Sequence, residues 1–222
     1  LYQQRPAPAG GSIFNRGWWG DPTILKGQGR NQFYDNKPEE LQDLLDMLVL
    51  SADCTFKDTD GTDYVVIQVW GKKGADFYLL DQKRDRMDII NTMQNIRTLS
   101  SKWYRATAKL IEDKANSPAI ISMMKREIPN MIPVEPHGGK VVRAQAIIPY
   151  VESGNVWLPQ PRNAPWLHDF LEELASFPNA THDDQVDALT QAIFYLSNKN
   201  LELERLLKLP KKLIRVGGGW NG

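Results

Sequence analysis

The apolar positions of the chain change period along its length, and the changes mark out its elements. Residues 47–56 (MLVLSADCTF) are apolar on both faces and end in polar residues, as a central strand buried between helices requires. Asp53 falls near the carboxyl end of that run. After the turn signal Asp58-Thr59-Asp60-Gly61, the β-branched and aromatic residues 64–70 predict a second strand, residues 71–74 a turn and residues 76–81 the hairpin partner. Ile89, Ile90, Met93, Ile96 and Leu99 then repeat at helical spacing, so residues 88–103 predict an amphipathic helix leading to a strand over 108–112. The order to this point is βββαβ, with the first three strands an antiparallel meander.

Further on, residues 118–127 predict a helix, 129–139 a short strand and loop, and 141–150 another helix before the turn Glu152-Ser153-Gly154-Asn155. Trp166, Leu167, Phe170, Leu171 and Leu174 mark an amphipathic helix. A second, over 182–198, carries Ala188, Leu189, Ala192, Ile193 and Leu196 as its apolar face. Residues 1–37 show no sustained period and read as a linker that drapes on a surface. Pro38-Glu39-Glu40 looks like a helix start, with proline first and acids in the first turn. Residues 209–222 are basic, then glycine-rich, and read as a flexible tail. The pattern gives an α/β fold: one domain over 38–208 with flexible ends.

Composition adds mainly exclusions. With 222 residues, 41% of them hydrophobic, the chain can bury one sizeable core. No stretch approaches the roughly 20 continuous apolar residues of a membrane span, and the first residues lack the pattern of a signal peptide. Because numbering begins at Leu1, a fragment of a longer protein is expected. The single cysteine, Cys54, excludes an internal disulfide and a cysteine-rich zinc site, and reads as core packing. Lys plus Arg equals Asp plus Glu at 27 each, so a polyanionic partner would have to be met by a local patch.

Three acidic positions stand out by placement: Asp53 at the end of the first strand, Glu112 at the end of the fourth, and Asp183-Asp184 opening the last long helix. Adjacent strands would set Asp53 beside Glu112, and a helix packed on the sheet could bring its first acids to the same edge. Such a cluster is repulsive unless protons or cations compensate it, and hard oxygen ligands select Mg²⁺ or Mn²⁺. Each acid alone more often serves as a solvated charge, cap or dipole partner. Only their combination points to chemistry.

Five short strings supply that combination: Leu1-Tyr2-Gln3-Gln4-Arg5-Pro6, Ser51-Ala52-Asp53-Cys54-Thr55-Phe56, Ile111-Glu112-Asp113-Lys114-Ala115-Asn116, Gly154-Asn155-Val156-Trp157-Leu158-Pro159 and His182-Asp183-Asp184-Gln185-Val186-Asp187-Ala188. In this order they resemble the carboxy-terminal nuclease domain of phage terminase large subunits. The resemblance implies a ribonuclease-H-like (RuvC-like) mixed central sheet flanked by helices. It also implies that residues 1–37 are the linker from a missing N-terminal packaging ATPase domain, and no GxxxxGK[ST] loop occurs in this chain. Carried over by position, Asp53 is the ligand bridging two Mg²⁺ or Mn²⁺ ions, Glu112 the second-strand ligand and Asp183 or Asp184 the helix ligand. Glu112 is favoured over its neighbour Asp113 because the family's acid usually ends the strand. Asp187, four residues after Asp183, could touch a metal or pair with a nearby base.

The implied activity is metal-dependent endonucleolytic cleavage of concatemeric double-stranded viral DNA in the host cytoplasm, with the portal protein and small terminase subunit as partners. Candidate DNA contacts are Lys72, Lys73, Lys83, Arg84, Arg86, Lys140 and Arg143, with Lys208, Lys211, Lys212 and Arg215 in the tail. Two rivals share the residues: a Holliday-junction resolvase or transposase-like nuclease, and a non-catalytic DNA-clamping or portal-docking module whose acids are structural.

Overall fold

In the computed structural model of the chain, residues 12–24, 28–54, 64–113, 117–136 and 138–208 are described, Ser117 and the last ten of them by backbone only. The elements in chain order are β1 (Phe33–Tyr34), α1 (Pro38–Leu41), β2 (Met47–Asp53), β3 (Val65–Lys73), β4 (Asp76–Asp85), α2 (Ile89–Lys102), β5 (Ala106–Glu112), α3 (Ser117–Met124), β6 (Met131–Val134), α4 (Lys140–Glu152), β7 (Val156–Pro159), α5 (Leu167–Ser176) and α6 (Asp184–Lys208), with single 3₁₀ turns between some of them.

All seven strands join one mixed sheet in the order β1-β7-β4-β3-β2-β5-β6. The β2–β3 and β3–β4 pairs are antiparallel, and every other pair is parallel. Thus β3 alone runs against the rest, and β2, beside it, has its other neighbour β5 parallel to it. The expected βββαβ core is present. Its order β4-β3-β2-β5-β6 is extended past β4 by β7 and β1.

Strand alternation divides the interior into two layers. Leu48, Leu50 and Ala52 of β2 pack with Ile96, Leu99 and Trp103 of the α2 side. Val49 and β5's Ala108 and Leu110 pack on the other face against Val186, Leu189, Ala192 and Ile193 of α6 and Ala144 and Ile147 of α4. The helices form because their apolar residues recur on one side. Asp88 starts α2 by accepting a hydrogen bond from the Asn91 amide.

Three segments differ from the expectation. Residues 12–36 are not draped on a surface where they are described. Phe14, Trp19 and Phe33 are buried in the α6-side core, and β1 pairs in parallel with β7. Full burial of such an aromatic contributes about 2–3 kcal/mol, which isolated anchors in a loop can supply without any period. Residues 71–73, expected as a turn, continue β3, and the hairpin turns at Gly74 instead. The strand β7 has no counterpart in the expected elements, because four residues are too few to show alternation. The tail 209–222 lies outside the described residues.

Candidate functional site

Asp53 ends β2 and Glu112 ends β5, and these parallel neighbours pair through Ala52 and Ile111, so both acids leave the sheet at the same end. Alternation decides their direction. Asp53 shares a face with Val49 and Ser51, and Glu112 with Ala108 and Leu110, which is the face that α6 covers. Asp113 has the opposite parity and is exposed on the α3 side, where it lines a shallow depression with Pro118, Ile121 and Pro133.

The register of α6 on the sheet is fixed by polar contacts as well as by its apolar stripe. Ser51 Oγ donates to the Ala188 carbonyl at 2.8 Å, and Gln191 Nε2 donates to Ser51 Oγ at 2.9 Å. That register turns Asp187 toward the strand ends. One carboxylate oxygen each from Asp53, Glu112 and Asp187 lie within 4.8 Å of one another, all three residues buried. Among the described residues this is the only group of three acidic, histidine or cysteine side chains so placed. The donor set is entirely hard oxygen at the mouth of a mixed sheet, which fits Mg²⁺ or Mn²⁺.

Asp183 and Asp184 stand outside that group. Asp183 accepts a hydrogen bond from Lys140 at 2.5 Å. Asp184 is the first residue of α6; burial raises its pKa and the charge of Asp183 adds to the rise, while Lys140, His182 and Arg84 oppose it. The sequence names Asp187 only as an additional candidate. The usable signal is its place: Asp187 and Gln191 lie four apart, on the stripe of α6 that meets the strand ends.

Two cations from α4 sit on the carboxylates. Lys140 and Arg143 are three residues apart and face the start of α6. Arg143 Nη2 lies 2.5 Å from Asp187 Oδ1 and 3.8 Å from Glu112 Oε1, while its Nη1 donates to the Gly138 carbonyl at 3.1 Å. Lys140 Nζ reaches Asp183 Oδ1 at 2.5 Å and Asp187 Oδ2 at 2.9 Å. Burial works against the Lys140 charge, but its bonds to Asp183 and Asp187 outweigh that and hold its pKa above the ordinary lysine value. Cys54, next to Asp53, is buried; burial and the charges of Asp53 and Glu112 push its thiol well up, so it is packing rather than a nucleophile.

The remaining basic candidates divide. Lys72 is buried, with Nζ donating to the Leu196 carbonyl at 3.1 Å and lying over the Phe77 ring, because β3 carries it inward. It offers no ammonium to a phosphate in this structure. Lys73 is exposed at the hairpin end. Arg84 lies over the Tyr64 ring at 3.9 Å and pairs with buried Glu173 at 3.4 Å; Arg86 is 5.3 Å from the same ring, and His182 meets it edge-on. Lys83, on β4, is half-exposed and pairs with Asp85 at 3.0 Å, and Arg86, just past the end of β4, is open to solvent. Tyr64, Glu173, Gln185 and Gln191 carry no local sequence signal. The Lys208 side chain and residues 211, 212 and 215 lie outside the described residues.

The terminase RNase H-like domain family matches residues 50–196, a stretch holding all three clustered acids. No curated protein matches the sequence. Among solved structures, the large terminase nuclease from thermophilic phage G20c is similar over 67% of this chain and 81% of its own, at 17% identity and a TM-score of 0.52. A form of that nuclease with bound magnesium covers 66% of this chain and 79% of its own, at 18% identity and a TM-score of 0.51. The large terminase of a second thermophilic bacteriophage aligns with 85% of this chain at 9% identity and a TM-score of 0.55, and the chain spans 43% of that protein. At these identities the structures speak to the fold alone. With the family match, they show that the chain has the RNase H-like fold seen in these terminase nucleases and that it belongs to the terminase RNase H-like domain family.

Proposed function

We propose that this chain is a metal-dependent endonuclease that cleaves concatemeric double-stranded viral DNA during genome packaging, with Asp53, Glu112 and Asp187 at the centre of the site. The observation that carries the reading is the convergence of these three buried carboxylates from β2, β5 and α6 within 4.8 Å. Three acids so close are mutually repulsive, and oxygen-binding divalent cations relieve the repulsion. Asp53, at the end of β2, would be the central ligand of such ions. Glu112 and Asp187 would complete the ligand set, with Asp183 and Asp184 near it at the start of α6. Mg²⁺ or Mn²⁺ held by these residues would supply an activated water and stabilisation of the leaving oxygen for phosphodiester hydrolysis.

The protein's own part is to fix the carboxylates and seat the DNA. Parallel pairing of β2 and β5 locks Asp53 and Glu112, and the Ser51–Ala188 bond locks α6 and so Asp187. Lys83 on β4 and Arg86 just past its end are the cations suited to contact DNA phosphates without reading sequence, while Lys140 and Arg143 are taken up by the acids. Lys73 extends the basic candidates along the hairpin. In the assembled motor, an N-terminal packaging ATPase domain, the portal protein and the small terminase subunit decide when the cut is made.

The test is incubation of the purified chain with supercoiled plasmid and Mn²⁺ or Mg²⁺ at low and moderate salt. Nicked and linear products that vanish with chelator or with Asp53→Ala are expected. Plasmid surviving every metal and salt condition, or equal cutting by Asp53→Ala, refutes the assignment.

A further inference from the structure

The two α4 cations do not engage the acidic group alike. Arg143 is anchored at both ends of its guanidinium, to the Gly138 carbonyl through Nη1 and to Asp187 Oδ1 through Nη2, and its side chain is only 17% exposed. Gly138 takes a φ of 79°, a left-handed conformation that favours glycine, just before α4 begins. Arg143 therefore belongs to the frame. Lys140 is 39% exposed, is tied only through its single ammonium, and divides that ammonium between Asp183 at 2.5 Å and Asp187 Oδ2 at 2.9 Å.

Asp187 thus has one oxygen held by a fixed cation and the other by a cation that can retreat to Asp183 without losing its charge pairing. We propose that Lys140 is a resident counter-ion of the site: it occupies Asp187 Oδ2 in the metal-free protein, competes with divalent metal for that oxygen, and withdraws to Asp183 when metal binds. This rests on the metal-site reading given above and adds its regulation. The metal-free site is stabilised by Lys140, so metal binding is weakened by the free energy of parting Lys140 from Asp187. Asp183 is then the parking place of the ammonium, which gives this acid a role without any ligation to metal. Arg143, retained throughout, keeps Asp187 turned toward Glu112.

The experiment is calorimetric titration of the whole chain with Mn²⁺, comparing wild type, Lys140→Met, Lys140→Gln and Asp53→Ala, with thermal melting in chelator and in Mn²⁺ alongside. Both Lys140 variants are expected to bind Mn²⁺ on the order of tenfold more tightly, since a positive charge next to the ion is gone. They should also melt lower than wild type in chelator and gain more from Mn²⁺. If both variants bind Mn²⁺ as wild type does, or more weakly, while Asp53→Ala loses binding, the counter-ion role is overturned and the metal site stands. If wild type and Asp53→Ala take up Mn²⁺ equally, the metal site and the counter-ion fall together.

Discussion

The protein buries two polar clusters under the same helix, and they are built on opposite logic. Around Gln185, on the β3–β4 side, the chemistry is mostly amide. Gln68 Nε2 donates to Gln82 Oε1 at 2.8 Å, Gln82 Nε2 to Gln185 Oε1 at 2.7 Å, and Gln185 gives its amide nitrogen and Nε2 to Glu173 at 2.8 and 2.6 Å. Gln68 Oε1 also accepts from Trp70 Nε1 at 2.8 Å. Donors meet acceptors in sequence and one carboxylate closes the chain. Around Asp187, on the β2–β5 side, three carboxylates face each other and are met by two cations from a neighbouring helix. A cluster that satisfies itself within the fold is a structural joint. One whose several like charges face each other is suited to exchange compensating cations.

The comparison is most severely tested by removing one member from each cluster. Glu112→Gln should cut plasmid cleavage by on the order of a thousandfold, since it removes a proposed ligand of charge-stabilising ions, while leaving the melting temperature in chelator undiminished. A large loss of stability would instead make the acidic group a structural joint. Gln185→Leu should do the reverse. It strands Gln82 Nε2 and takes one donor from Glu173, and should cost about 2 kcal/mol of stability in urea unfolding, with measurable cleavage remaining once the protein is folded. A loss below about 1 kcal/mol would break the contrast.

A smaller effect separates the clusters by pH. Burial raises the Glu173 pKa from 4.5 to about 7, against the opposing hydrogen bonds from Gln185 and the charge of Arg84. The folded state therefore holds this proton more tightly than the unfolded chain. Its contribution to stability is present below the unfolded value and is lost as pH rises toward and through about 7. Urea midpoints measured in chelator between pH 5 and 8 should fall with pH for wild type and fall less for Glu173→Gln. Identical slopes would remove Glu173 from the account.

Much of the frame was legible in the sequence because it obeys a period. The doubly apolar run of residues 47–53 and the helical stripes of α2, α5 and α6 are the physics of burial written locally. The closeness of Asp53 and Glu112 followed from two strand ends in one sheet. What could not be read locally was rotation: which acid in the first turns of α6 meets the strands depends on a hydrogen bond between Ser51 and Ala188, far apart in sequence. The same holds for Lys72, which the unbroken alternation of a β3 longer than expected places on the α6 face, and for Phe14 and Trp19, single anchors that only tertiary packing reveals.

That packing has a consequence in time. Phe33 and Tyr34 find their strand partners only at Leu158 and Pro159, and the Ile13 amide finds its acceptor only at Phe177. During synthesis the segment holding β1 is therefore made before β2 and must wait for α5 before it can be seated. Closing so long a loop is slow compared with forming the hairpin of β3 and β4. The meander and α2 can assemble early, and the aromatic anchors of residues 14–33 arrive last, as the latch on a sheet already formed.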